Sequence, residues 1–318
     1  VAHGATVAYS ATVAGGRMLR PLEGVPTSSE LALKRSLGIG MESVGQSGLA
    51  AFLRAPRYEV LPTEDAEGLV LAHVPNEVRI TITASPRRGM EATIDLAERL
   101  SRQGYGVVPH LSARMIRDRS HLGEILAAVK AMGTQDVFVV AGDAREPAGE
   151  FPDSVSLLAA MAGSGLHDIG VTGYPESHSF IDDDMTIQAM WDKRRVATYI
   201  VSNLCFDPRV VKRWVARVRR RKVELPIYIG MAGVADPARL LRVSTRIGVV
   251  DSARFLRGHS NWFLRMLRPG GYDPGRFIKA LMPDLGAPDR KVAGVHVFTF
   301  NEIEPTERWR QEMLARLN

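Results

Sequence analysis

Cysteine is almost missing from this chain. Among 318 residues there is one, Cys205, so neither an intrachain disulfide nor a cysteine-rich metal site is expected. A single thiol suits a reducing compartment, and a cytoplasmic location is the natural expectation. Long apolar runs are also missing. No stretch reaches the ~18 uncharged apolar residues of a membrane span, so no membrane association is expected. The sequence contains neither G-x-G-x-x-G nor a Walker motif, which argues against a Rossmann or P-loop nucleotide site. His110 and His178, with Asp143 or Glu59 as a third ligand, are the only metal candidates. They lack HxH or HxxxH spacing, so no metal is expected. Internal repeats and low-complexity tracts are absent as well.

What is present is an ordinary globular composition, 45% hydrophobic and 24% charged. The length allows one (β/α) barrel or two ordinary domains. The formal charge is +6 and the isoelectric point about 9.6. Such a balance fits a nucleic-acid or membrane-surface binder, and equally an enzyme whose substrates carry phosphates or carboxylates. The first residues, VAHGATVAYSATVAGG, lack the charged n-region of a signal peptide. Residues 1–52 read as an N-terminal arm, loose to about residue 27 and helical after a capping Ser or Thr near Thr27. Residues 53–318 read as the catalytic domain.

From Arg57 onward, apolar strand-like runs alternate with amphipathic segments. Eight strands are predicted: Tyr58–Leu61, Val78–Thr83, Gly106–Leu111, Asp136–Ala141, Asp168–Thr172, Tyr199–Leu204, Ile227–Met231 and Val292–Phe300. Helices are predicted at Met90–Arg102, His121–Met132, Ser154–Ala162, Asp183–Val196, Arg209–Arg220 and Pro237–Ile247. In the first of these, Ile94, Leu96, Ala97 and Leu100 keep a helical spacing. This alternation predicts an α/β fold, a single (β/α)8 TIM-type barrel with extra helices before the last strand. A doubly wound open sheet is the alternative. The gap between the first two strands looks short for a full helix.

Barrels of this class build their sites where strands end. Those positions carry Glu59, Thr83, His110 with Ser112, Asp143, Tyr174 with His178, Ser202 with Asn203, and Thr299 with Asn301. So many polar strand ends suggest a large central site. Each residue also has a plainer reading. Glu59 lies in an apolar strand, where a carboxylate is expensive unless paired or protonated. Asp143 after Gly142 could be a turn residue, His110 a satisfied buried histidine, and Asn203 a loop residue. Lys193-Arg194-Arg195 could contact phosphate or simply complement a helix dipole. The run Lys212–Lys222 overlies the apolar stripe Val211, Trp214, Val215 and Val218, and is most simply a solvated helix face.

The order of these motifs resembles the methylenetetrahydrofolate reductase family, from Arg57 to the C-terminus. Arg57-Tyr-Glu-Val-Leu-Pro62 is similar to its Phe-Glu-Phe-Phe-Pro strand, and Ile80-Thr-Ile-Thr83 to its second strand. Pro109-His-Leu111 and Gly142-Asp143 are similar to its Pro-His-Leu and Arg-Gly-Asp. Gly173-Tyr-Pro-Glu-Ser-His178 closely resembles its Tyr-Pro-Glu-x-His. Lys193-Arg-Arg-Val196 and Ser202-Asn-Leu-Cys-Phe-Asp207 are similar to its Lys-Arg-Lys-Val and Thr-Gln-Phe-Phe-Phe-Asp.

The resemblance implies a (β/α)8 barrel that reduces 5,10-methylenetetrahydrofolate to 5-methyltetrahydrofolate, toward methionine biosynthesis, using NADH or NADPH through FAD. It implies Thr83, His110, Asp143, Tyr174, His178, Arg194 and Arg195 as flavin contacts. It implies Glu59 and Asp143 as catalytic, Glu59 as general acid and Asp143 as an electrostatic tuner, with Glu59, Asp143 and Asn203 binding folate. The chain departs from the family at Ala141 (arginine), at Gln188 and Trp191 (flavin-contacting Asn and Asp), at Pro237 (a stacking aromatic) and at Glu302 (a basic residue). These departures point to a divergent reductase with weak or no flavin. Two other functions remain in view. One is a folate barrel doing one-carbon transfer or demethylation. The other is a non-catalytic barrel that binds RNA or another anion through Lys212–Lys222. The oligomeric state stays open, a homo-oligomer included.

Overall fold

The computed structural model describes residues 41–175, 190–234 and 272–317. The expectations placed on His178, Gln188, Pro237 and the helix Pro237–Ile247, and on most of Asp183–Val196, lie outside those residues. Within them the chain runs α1 (Met41–Arg54), β1 (Arg57–Val60), α2 (Ala66–His73), β2 (Arg79–Ile82), α3 (Gly89–Arg102), β3 (Val107–Ser112), α4 (Arg119–Ala131) and β4 (Asp136–Val140). It continues through α5 (Ser154–Ala160), β5 (Asp168–Gly173), β6 (Tyr199–Ser202), α6 (Pro208–Arg220), β7 (Ile227–Ala232), α7 (Pro274–Leu285), β8 (Val292–Phe298) and α8 (Ile303–Ala315). All eight strands are parallel and close into a barrel in sequence order. The closing seam pairs Arg57 with His296 and Glu59 with Phe298. The architecture is the (β/α)8 barrel expected from the strand pattern.

The helices form where the sequence supplies both a start signal and an apolar stripe. Asp118, Asp153, Asp207 and Asp273 cap α4, α5, α6 and α7 by accepting a first-turn backbone N–H. Pro208 and Pro274 follow two of these caps at the position where a missing N–H costs nothing. The short gap between β1 and β2 holds an eight-residue helix, α2, which buries Ala66 and Val70 one turn apart. In α6, Val211, Trp214, Val215 and Val218 are buried, so its basic residues lie on the other side. One of them is structural: Arg219 donates to the carbonyls of Val223, Arg290 and Lys291.

Strand alternation sorts the core into two shells. Outward side chains such as Tyr58, Val60, Ile80 and Ile82 pack under the helices in one large apolar cluster. Inward side chains form a smaller cluster of Val108, Phe138, Tyr199 and Val201, with Val140 and Tyr228 against it. Gly170 makes room there, because a Cβ at that position would lie 2.3 Å from the Tyr199 ring. At the seam, Tyr58 donates to Glu307 of α8 at 2.8 Å. Arg310 holds Glu307 as well, and reaches the Leu53 carbonyl of α1 at 2.8 Å. The first and last described helices are thereby fastened to the same strand.

Candidate active site

Two inward residues on β1 occupy two levels of the lumen. Arg57 is at the N-terminal level and is 4% exposed. Its guanidinium lies between the rings of Tyr199 and Tyr228, 4.3 and 4.2 Å from their centroids. It donates to the Tyr199 hydroxyl at 2.8 Å and approaches Asp136 at 3.1 Å. Asp136 also accepts from Arg79 and from the Tyr199 hydroxyl, each at 2.7 Å. Burial opposes the Arg57 charge, yet Tyr199, Asp136 and Tyr228 outweigh it and hold its pKa above the ordinary value. At this level Arg57, Tyr199 and Asp136 are buried and bonded to one another, with Arg79 reaching Asp136 from the solvent side.

Glu59 belongs to the next level, toward the strand ends. Its Oε2 lies 3.0 Å from His296 Nε2 and 3.9 Å from His110 Nε2. His110 and His296 are 5% and 1% exposed, whereas the Glu59 side chain keeps 16%. The imidazoles pack against aromatic rings, His110 against Phe138 at 4.8 Å and His296 against Phe298 at 4.9 Å. Burial pushes the His110 pKa down to about 4; attraction to Glu59 opposes the shift and the nearby His296 adds to it. His110 is therefore neutral near pH 7. Its Nε2, like His296 Nδ1, is buried without a hydrogen-bond partner among the described residues. Such atoms call for an explanation, and an absent ligand is one of the usual ones.

The turn after β8 secures Glu59 from behind. Thr299 Oγ1 donates to the Glu59 carbonyl at 2.6 Å. Asn301 donates to Leu61 O and Thr63 Oγ1, and accepts from Leu61 N. Phe300 and Asn301 both take left-handed φ values, 52° and 60°, which a bulky side chain rarely adopts. Thr299 and Asn301, read from sequence as site candidates, thus brace the end of β1.

The remaining predicted residues follow the strand ends around the barrel. Half-buried Thr83 uses its backbone to bond Val60 O and to accept from Thr93 Oγ1. Gly142 turns with φ 92°, and a Cβ there would meet Ser112 Oγ at 1.9 Å. The next residue, Asp143, keeps an open face, while the protein packed beside it raises its carboxyl above the usual range by desolvation. Tyr174 is close enough to feel it: burial first, then the Asp143 charge, raise the phenol, and a hydrogen bond with Thr172 opposes them. Asn203 donates its N–H to Gly173 O, and its side-chain oxygen accepts from Leu204 N. Arg194 stacks over the Trp191 ring at 3.5 Å and donates to the Trp191 carbonyl. Arg195 is exposed. Neighbouring Lys193 is depressed by burial, with Asp153 opposing the shift.

The structure therefore brings Glu59 together with His110, and Asp143 with Tyr174. The residue that sequence reading passed over is His296. Its signal was the two-residue alternation Gly294, His296, Phe298 on one face of the last strand. No group of three or more metal-ligating side chains occurs among the described residues. None of the described helices is long and apolar enough to cross a membrane. Chemically, a carboxyl with one oxygen engaged, beside a neutral buried imidazole, is suited to general acid–base work.

Three solved structures are among those that match the chain distantly. A protein provisionally described as a lyase/mutase from Burkholderia cenocepacia is 14% identical, with 86% of each chain covered and a TM-score of 0.45. A provisionally described phosphonomutase from the same organism is 11% identical over 86% of this chain and 98% of that one, with a TM-score of 0.43. Phosphoribosyl anthranilate isomerase from Thermococcus kodakaraensis is 13% identical over 82% and 96%, with a TM-score of 0.39. The family comparison is more specific. Residues 63–250 match the family described as methylenetetrahydrofolate reductase, over more than half of the chain and on strands β2 to β7. Glu59 and His296, on the two strands of the closing seam, flank the matched segment. The chain belongs to the methylenetetrahydrofolate reductase family, and with it to the oxidoreductases.

Proposed function

We propose that this enzyme reduces 5,10-methylenetetrahydrofolate to 5-methyltetrahydrofolate, with NADH or NADPH as hydride donor. The observation that carries the proposal is Glu59 at the closing seam, its Oε2 engaged by His296 and its surroundings largely buried. In this reading Glu59 gives its proton to the folate nitrogen whose bond to the bridging methylene breaks. The iminium carbon left behind accepts the hydride as a new C–H bond, and the nicotinamide leaves oxidised. A positioned acid of this kind contributes about 10²–10⁴-fold to rate. Asp143 and Asn203, at the ends of β4 and β6, are the folate-binding groups of the proposal. In the proposal the Asp143 carboxylate stabilises the cation that develops on the folate. A cytoplasmic location belongs to the same reading, supported by the lone thiol of Cys205.

The family generally uses FAD together with a pyridine nucleotide. Among the described residues, those available for a flavin are a partial set. Thr83, His110, Asp143 and Tyr174 offer hydrogen-bonding groups along β2 to β5. Ala141 replaces the family's arginine, and Arg194 is already stacked on Trp191. We therefore route no step through a flavin and assign the hydride directly to the nicotinamide.

The test is NAD(P)H oxidation by the purified protein with methylenetetrahydrofolate, with and without added FAD, beside its visible spectrum. Turnover that is independent of FAD in a colourless protein is the expected result. Near-stoichiometric flavin bands would remove the direct-transfer version. Tight folate binding without NAD(P)H oxidation would point instead to one-carbon transfer on the same barrel.

A further inference from the structure

We infer that His296 is a positioning residue that fixes which oxygen of Glu59 carries the transferable proton. The inference rests on the reading of Glu59 as the acid and extends it. A carboxylic acid can hold its proton on either oxygen, and only one position serves a fixed substrate. His296 Nε2 lies 3.0 Å from Oε2, within hydrogen-bond range. The ring is 1% exposed and packed by Phe298 and, farther off, Phe138, with centroids 4.9 and 6.5 Å away. Its Nδ1 has no hydrogen-bond partner among the described residues.

A neutral imidazole has one N–H to place. On Nδ1 that donor would be buried and unsatisfied among the described residues. On Nε2 it donates to Glu59 Oε2. The Nε2–H tautomer is therefore the one that leaves no imidazole N–H buried without an acceptor. With Oε2 accepting from His296, the acidic proton of Glu59 is left to Oε1. Once that proton has moved to substrate, the same N–H remains on the carboxylate and stabilises it.

The other groups facing Glu59 do not compete for Oε2. His110 of β3 is 3.9 Å away, beyond hydrogen-bond distance. Thr81 of β2 donates to the Tyr58 carbonyl. Arg57, two residues back on β1, is engaged by Asp136 and Tyr199.

The experiment compares His296→Phe, His296→Gln and Glu59→Gln by kcat, KM and the pH profile of kcat. It adds the imidazole ¹⁵N shifts of the unmodified protein. His296→Phe is expected to lower kcat by about 10–10²-fold, the rate equivalent of one hydrogen bond to a charged group. KM should hardly move, and the alkaline limb of the profile should shift upward. His296→Gln retains an N–H donor near the same place and should recover most of the loss. The ¹⁵N shifts should report the Nε2-protonated tautomer. An inactive Glu59→Gln beside a His296→Phe with unchanged kcat and pH limb overturns the positioning role alone. Full turnover in Glu59→Gln removes the acid reading itself. If His296→Phe does not fold, an Nδ1-protonated tautomer in the unmodified protein overturns the inference.

Discussion

Arg57 and Glu59 are two residues apart on the same strand, face the same lumen, and live by different rules. Arg57 is buried with every neighbour in place: two aromatic faces, a carboxylate and a hydroxyl. Around Glu59 the partners run short. His296 holds one oxygen, and among the described residues His110 Nε2 and His296 Nδ1 have no hydrogen-bond partner. The lower level is what a fold does with charge it must bury, namely neutralise it completely. The upper level leaves polar capacity for something that arrives later. Unfinished pairing, more than burial or residue type, separates a site from a core.

The sharpest way to break this comparison is a pair of substitutions with opposite expected outcomes. Glu59→Gln should lower kcat by about 10²–10⁴-fold, the range for losing a general acid. Its folding stability should stay within about 1 kcal/mol, since the amide oxygen still accepts from His296. Asp136→Ala should do the reverse. It leaves the Arg57 guanidinium buried without its carboxylate, which costs about 3–5 kcal/mol of stability. Urea unfolding followed beside the NAD(P)H assay reads both. A strongly destabilised Glu59→Gln, or a fully stable Asp136→Ala, would erase the distinction between the levels.

A smaller effect sharpens the upper level. The pKa of His110 is held down to about 4, from an ordinary 6.5, mainly by burial. The unfolded chain therefore takes up a proton at this residue before the folded one does. Its contribution to stability is complete above pH 6.5 and is lost as pH falls toward 4, at up to about 1.4 kcal/mol per pH unit. In His110→Gln the acid sensitivity of unfolding across that window should flatten. An unchanged slope would mean that other groups dominate it. The smallest expected effect is a control outside both levels. Asp118→Ala removes the cap of α4, where its side chain accepts from His121 N at 2.8 Å. It should cost about 1 kcal/mol with kcat unchanged. A loss of activity there would show that the upper level is coupled to the outer helices.

Much of the barrel was legible before any coordinates. Each predicted strand agrees with an observed one to within a residue or two, because an inner strand of a parallel barrel is buried on both faces and reads as an apolar run. Helices α4, α5 and α6 begin within two residues of their predicted starts, each behind an aspartate cap that involves only neighbouring residues. The weak point was the gap after β1. There α2 needs only Ala66 and Val70 to anchor it, too little apolar periodicity to stand out. The site was legible in part. Glu59, His110, Asp143 and Tyr174 come forward because they interrupt or end apolar runs. His296 did not, since its alternation with Gly294 and Phe298 fits a satisfied core histidine equally well, and Thr299 and Asn301 drew notice for a role that proves to be bracing.

What the sequence by itself determined is therefore local: which segments are strands, which begin helices, and which residues on a strand share a face, since alternation and capping act over a few residues. Only the tertiary structure decided who meets whom across the lumen. His296 reaches Glu59 from 237 residues away, and Asp136 reaches the level of Arg57 from a different strand. Both meetings depend on closure of β8 against β1. That closure joins the two ends of the described barrel, and no short-range pattern in the sequence can encode it.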